Sequence, residues 1–169
     1  MDTLRLIPIG PEYEAELSRD DTYRQAMQRE DWPAVAQCVQ RILGNETHLQ
    51  DTPEPNEPPH HGGFVALNVQ LNELVGSCAF KAPPNEQGDI EIAYFSYPGH
   101  EGRGYASAMA VRLVELAAHD PAVRHVIAHT LPEANASTRV LTKAGFTHAG
   151  DTIDPDDGPV WRWQRPARP

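Results

Sequence analysis

Residues 90–117 read IEIAYFSYPGHEGRGYASAMAVRLVELA, and this stretch decides the architecture. Its opening, IEIAYFSY, is rich in β-branched and aromatic residues and predicts a strand. Its close sets Ala106, Met109, Ala110, Leu113, Val114 and Ala117 at spacings of three and four, the apolar stripe of a helix packed on a sheet. Between them, residues 98–104 form a glycine-rich turn. Gly102 and Gly104 permit positive φ and close backbone approach, Ala106 keeps the first helical turn uncrowded, and the helix dipole adds about half a positive charge there. Such a turn suits a pyrophosphate, although many glycine turns before helices hold no ligand. It is not a Walker loop, since no GK[ST] follows. Nor is it a dinucleotide fingerprint, because the glycines follow a late strand and lack the third glycine and the downstream acidic residue of that motif.

Working outward, GFVALNV and ELVGSCAFKA predict two hairpin strands, and PPNEQGD turns the chain into the strand already quoted. Upstream, TLRLIPI alternates Leu4, Leu6 and Pro8 against Thr3, Arg5 and Ile7 and predicts a first strand, ended by Gly10 and Pro11. From Pro11 to His48 apolar residues recur at helical intervals, with Asp31, Trp32 and Pro33 as a helix start, predicting two or three helices. Residues 51–63, DTPEPNEPPHHGG, predict a loop. Downstream, residues 123–130 predict a strand, Asn135–Ala144 a helix stopped by Gly145, and residues 146–153 and 158–164 closing strands.

A chain of 169 residues can bury one sizeable core, so a single domain over 1–169 is expected. With 40% hydrophobic and 22% charged residues, and no long apolar run, it reads as soluble and free of membrane spans. The acidic N-terminal stretch lacks the basic start and apolar core of a signal peptide, which predicts a cytoplasmic location. A net charge of −10 disfavours nucleic acid and anionic lipid as partners and suits a cationic acceptor. Cys38 and Cys78 read as buried apolar residues of a reduced protein, and no histidine pair is spaced i, i+4 on a predicted helix. No disulfide and no metal site is assigned.

The run at 90–117, followed by VIAHTLPEANASTRVLTKAGF at 126–146, resembles the GNAT N-acetyltransferases, especially the bacterial branch that acetylates ribosomal-protein N-termini, the Rim-type enzymes. TLRLIPI, LVGSCAFKAPP and GPVWRWQRP extend the likeness, so that all but residues 20–60 is covered. The resemblance implies an α/β (α+β) GNAT fold. Its central mixed, mostly antiparallel, twisted sheet has about seven strands flanked by helices and splays between the fourth and fifth.

The resemblance also implies function: acetyl-CoA as cosubstrate, and direct acetyl transfer to a primary amine, either a peptide N-terminus or a small-molecule amine. The pyrophosphate would lie against Gly102, Arg103, Gly104, Tyr105 and Ala106. Glu101 stands where the family has Arg or Gln and brings a carboxylate toward phosphate. The splayed strand would expose backbone groups to the pantetheine arm at Phe95 and Tyr97. Asn135 and Ser137 match residues beside that arm, and both also serve as helix caps. Glu91 matches a glutamate acting as general base through water; a structural partner for Arg or His is its other reading. The position of the family's tyrosine acid falls on Leu141, with Tyr94, Tyr97 and Tyr105 as substitutes. Acceptor specificity is assigned to residues 11–63, with Trp32, His60, His61 and Phe64 as pocket candidates. The alternative to an enzyme is a catalytically degenerate CoA-binding or regulatory module. A monomer and a homodimer are both compatible with the sequence.

Overall fold

A computed structural model describes residues 3–44 and 63–169. The elements follow in the order β1 (Leu4–Ile9), α1 (Pro11–Arg19), α2 (Asp21–Gln28), α3 (Trp32–Gly44), β2 (Gly63–Asn68), β3 (Glu73–Phe80), β4 (Asp89–Ser96), α4 (Tyr105–Ala117), β5 (His125–Thr130), α5 (Ala136–Lys143), β6 (Thr147–Asp154) and β7 (Gly158–Pro166). The expected proline loop and the candidates His60 and His61 lie outside the described residues, apart from Gly63, which begins β2.

The seven strands form one sheet in the order β1-β2-β3-β4-β5-β7-β6. Every neighbouring pair is antiparallel except β4 and β5, which run parallel. That exception follows from α4, which carries the chain back across the sheet as a crossover. The parallel pairing spans only Asp89–Glu91 against His125–Ile127, and beyond it the strands part. This is the GNAT fold, with its splay at the expected place.

Two apolar clusters flank the sheet. One joins Leu4, Leu6, Ile90 and Ile92 to Met109, Leu113 and Leu141 of α4 and α5. The other joins Ile7, Val65 and Tyr97 to Leu17, Ala26, Val35 and Val39 of α1–α3. Ile7 was set opposite Leu4 and Leu6 as an outward residue, yet it is only 3% exposed. Helices cover both faces of β1, so strand alternation there separates two cores rather than core from solvent. No helix of the described residues is long and apolar enough to cross a membrane.

Local signals place the boundaries. Asp20 accepts from Tyr23 N–H to start α2, and Asp31 accepts from Ala34 N–H at the start of α3. Gly145, at φ 88°, ends α5, where Phe146 N–H donates to the Leu141 carbonyl. At Gly76 a Cβ would collide with the Phe95 carbonyl and come within 3.0 Å of Met109 Cε, so only glycine lets β3, β4 and α4 meet here.

Candidate active site

The turn between β4 and α4 is built from left-handed glycines: Gly99, Gly102 and Gly104 have φ of 93°, 73° and 87°. Gly104 is the N-cap of α4 and offers no side chain to the first-turn N–H groups. The contrast with α2 and α5 is informative, because Asp20 and Asn135 cap those helices through their side chains. The amides opening α4, from Tyr105 to Ser107, therefore remain for an anion. Tyr105 fixes the turn from below: its ring is buried and its hydroxyl accepts from Asn68 Nδ2 at 2.8 Å. His100 Nδ1, in the same turn, is buried without a hydrogen-bond partner.

A cavity of about 510 Å³ opens over this turn, lined by Gly102, Gly104, Ala106 and Ser107 on one side and by Ser137, Arg139 and Lys143 on the other. Glu101 lines the same cavity as the two α5 cations. Arg103 lies around the corner, in an adjoining depression that shares Gly102, Gly104 and Lys143. Of the α4 stripe, Ala106 is the residue that leaves the core and faces this cavity.

The register of β4 decides what the splay exposes. Lys81 N–H donates to the Glu91 carbonyl and Tyr97 N–H to the Val75 carbonyl, each at 2.9 Å, so odd-numbered residues spend their backbone groups on β3. By the pleat, Tyr94 and Ser96 turn theirs toward β5, which has already parted from β4. The sequence reading put the exposed backbone at Phe95 and Tyr97, one residue out of register. Both Tyr97 backbone groups are engaged, since its carbonyl accepts from His100 N–H at 2.9 Å. The Tyr97 ring is buried against Trp32, and desolvation pushes its phenol up to about 12. Phe95 is 41% exposed, packs on Trp32 and lines both the cavity over the glycine turn and a second one.

That second cavity, about 540 Å³, lies on the α1–α3 face, between Glu14, Leu17 and Tyr23 above and Phe64, Lys81 and Ala93 below. Tyr94 borders both cavities. Its hydroxyl is 2.9 Å from Ser137 Oγ, and burial raises the phenol pKa above its usual value, partly offset by that bond. Asn135 Oδ1 accepts from Thr138 N–H and Thr138 Oγ1 accepts from Asn135 N–H, a complete capping box, so Asn135 sets the pose of Ser137. Leu141 is fully buried, as is Cys78, whose thiol burial pushes far above its ordinary range. Neither can exchange protons with a substrate.

Glu91 stands one pleat below Ala93, on the same face of the sheet. Its Oε1 lies 2.7 Å from His129 Nδ1 and 3.2 Å from Lys81 Nζ. Asp89 carries a parallel set, with His125 Nδ1 at 3.3 Å and Arg162 at 3.0 Å. The sequence reading named the turn, Ser137 and Glu91 and did not single out Arg139, Lys143, Lys81 or His129, which the structure places beside them. The first two were legible only as an i, i+4 polar pair on one helix. Lys81 and His129 meet Glu91 through strand pairing that no local pattern encodes.

Residues 4–147 match the acetyltransferase (GNAT) domain family. The chain is 30% identical over 105 residues to a probable N-acetyltransferase, YjcK, of Bacillus subtilis, covering 62% of this chain and 56% of that protein. It is 27% identical over 87 residues to an uncharacterised N-acetyltransferase, p20, of Bacillus licheniformis, covering 52% and 49%. The chain thus spans about half the length of the curated relatives it matches. Among solved structures, a spermidine N-acetyltransferase from Vibrio cholerae, in complex with CoA and spermine, aligns over 99% of this chain and 97% of its own, with TM-score 0.61 and 13% identity. An aminoglycoside acetyltransferase, AAC(6')-Ib, in complex with coenzyme A aligns over 97% and 94%, with TM-score 0.56 and 19% identity. At such identities these two likenesses concern the fold.

Proposed function

The chain belongs to the acetyltransferase (GNAT) domain family, and from that premise we propose that it is an enzyme transferring the acetyl group of acetyl-CoA directly to a primary amine. The observation that carries this reading is the uncapped N-terminus of α4, which opens on a cavity that shares the lining residues Tyr94 and Phe95 with a second cavity. Pyrophosphate fits the turn on three counts. The first-turn amides have no side-chain cap, His100 Nδ1 is buried without a partner, and Arg139 and Lys143 stand opposite. Gly102, Gly104, Tyr105 and Ala106 would hold it through backbone, with Arg103 beside it. The backbone groups of Tyr94 and Ser96 would take the amides of the pantetheine arm, with Phe95 and Ser137 alongside.

The cosubstrate supplies an acyl carbon activated as a thioester. The protein supplies position, a route for the acceptor's proton at Glu91 and its partners, and a protonated phenol at Tyr94 that can donate toward the departing sulfur. The likeness to the Rim-type branch favours a peptide N-terminus as acceptor, while the spermidine and aminoglycoside enzymes of the same fold act on small amines. Relatives from Bacillus support a bacterial setting. We read the whole chain as one domain acting in the cytoplasm as a monomer or homodimer.

Calorimetry with acetyl-CoA, on the wild type and on Gly104→Glu, tests the placement. The wild type is expected to bind at one site and the variant, with a carboxylate in the turn, to lose it. Equal binding in both would show that the cosubstrate lies elsewhere.

A further inference from the structure

Three groups meet on the acceptor face where β4 and β5 part. His129 lies one pleat beyond Ile127, the last residue of β5 paired with β4, and its side chain is 20% exposed. His129 Nδ1 and Lys81 Nζ converge on one oxygen, Glu91 Oε1. An ionised carboxylate only accepts hydrogen bonds, and Glu91 Oε1 also faces the Lys81 ammonium. The imidazole must then donate from Nδ1. In the neutral ring this leaves the lone pair on Nε2, the tautomer a base needs.

Resting on the transfer reading, we propose that His129 takes the acceptor's proton through Nε2, and that Glu91 is a positioning residue that fixes the tautomer and stabilises the imidazolium. Glu91 Oε1 already accepts from two donors, which suits it to hold the ring in place. The charged surroundings of His129 are Lys81 from the end of β3, Asp89 and Glu91 on β4, His125 on β5, Asp154 on β6 and Arg162 directly opposite on β7. Glu91 is the carboxylate in hydrogen-bonding contact with the ring.

The acceptor arrives as an ammonium, and His129 Nε2 removes one proton. The freed nitrogen lone pair forms the C–N bond to the acetyl carbon as the C–S bond breaks and its electron pair leaves with sulfur. The Tyr94 phenol protonates the thiolate and is restored by the second proton that the nitrogen sheds, and His129 returns the first to solvent. The products are amide, CoA thiol and one proton.

The test compares His129→Gln with Glu91→Gln in thiol release from acetyl-CoA with an amine that the wild type accepts. His129→Gln is expected to lower kcat about 10²- to 10⁴-fold, with acetyl-CoA affinity unchanged. Glu91→Gln is expected to cost about 10- to 100-fold. Long-range ¹⁵N spectra of the wild-type histidines should show His129 protonated at Nδ1, a preference lost in Glu91→Leu, which offers the ring no acceptor. A His129→Gln rate within threefold of wild type, a larger loss in Glu91→Gln than in His129→Gln, or an Nε2-protonated ring would each overturn the proposal. Binding of acetyl-CoA with no thiol release by the wild type for any amine would sink the transfer reading, and the proton role with it. Release by the wild type alongside an undiminished His129→Gln variant would sink only the latter.

Discussion

Replacing Glu101 with glutamine should tighten acetyl-CoA binding, an uncommon expectation for a substitution inside a binding cavity. Glu101 lines the cavity with Gly102, Gly104 and Ala106, so its carboxylate shares that space with whatever the turn amides hold. For a separation of about 7 Å and an effective dielectric of about 40 to 80, Coulomb's law gives roughly 0.6 to 1.2 kcal/mol of repulsion per phosphate charge. Two such charges double this, and screening over a Debye length of about 8 Å at physiological salt removes roughly half. The net is about 0.6 to 1.2 kcal/mol, or a three- to eightfold tighter Kd. Calorimetry at low and high salt measures it directly, and the gain should shrink as salt rises. An unchanged or weaker affinity in Glu101→Gln at low salt would show that no phosphate lies near that turn.

Other consequences are equally open to measurement. Asn135→Ala removes the capping box of α5 and should cost about 1 kcal/mol in urea unfolding while leaving acetyl-CoA affinity within twofold; a large affinity loss would instead place Asn135 against the cosubstrate. Gly76→Ala drives a methyl into the Phe95 carbonyl and Met109, and should destabilise the fold by about 1 to 3 kcal/mol, read as a lower denaturation midpoint. Tyr97 has its pKa raised by burial to about 12, so its contribution to stability is complete below pH ~10 and is lost as pH climbs toward 12. Tyr97→Phe should flatten the decline of stability between those values, and a decline unchanged in that variant would assign it to other groups.

How much of this was legible beforehand varies along the chain for physical reasons. From Gly63 onward the elements are bounded by strong local signals, such as the glycine turn before α4 and Gly145 after α5, and the reading of strands and helices carried through. Local pattern failed where tertiary pairing decides. Ile7 looked solvent-facing because periodicity cannot reveal a second layer of helices. The backbone groups facing the splay are set by which residues of β4 bond to β3, a parity that sequence leaves open, and the expectation fell on Phe95 and Tyr97 instead of Tyr94 and Ser96. Glu91 was recognisable by its place in the motif. What it touches depends on Lys81 and His129, ten and 38 residues away.

The central claim is acetyl transfer to an amine, and mass spectrometry of the acceptor tests it most directly. The chain would be incubated with acetyl-CoA and, separately, an N-terminal peptide, a polyamine, an aminoglycoside and an aralkyl amine. The account predicts that at least one gains an acetyl group on nitrogen, in step with CoA thiol release and dependent on His129. Acetyl-CoA binding without an acetylated product from any of these classes would contradict it and leave a CoA-binding module in the same fold.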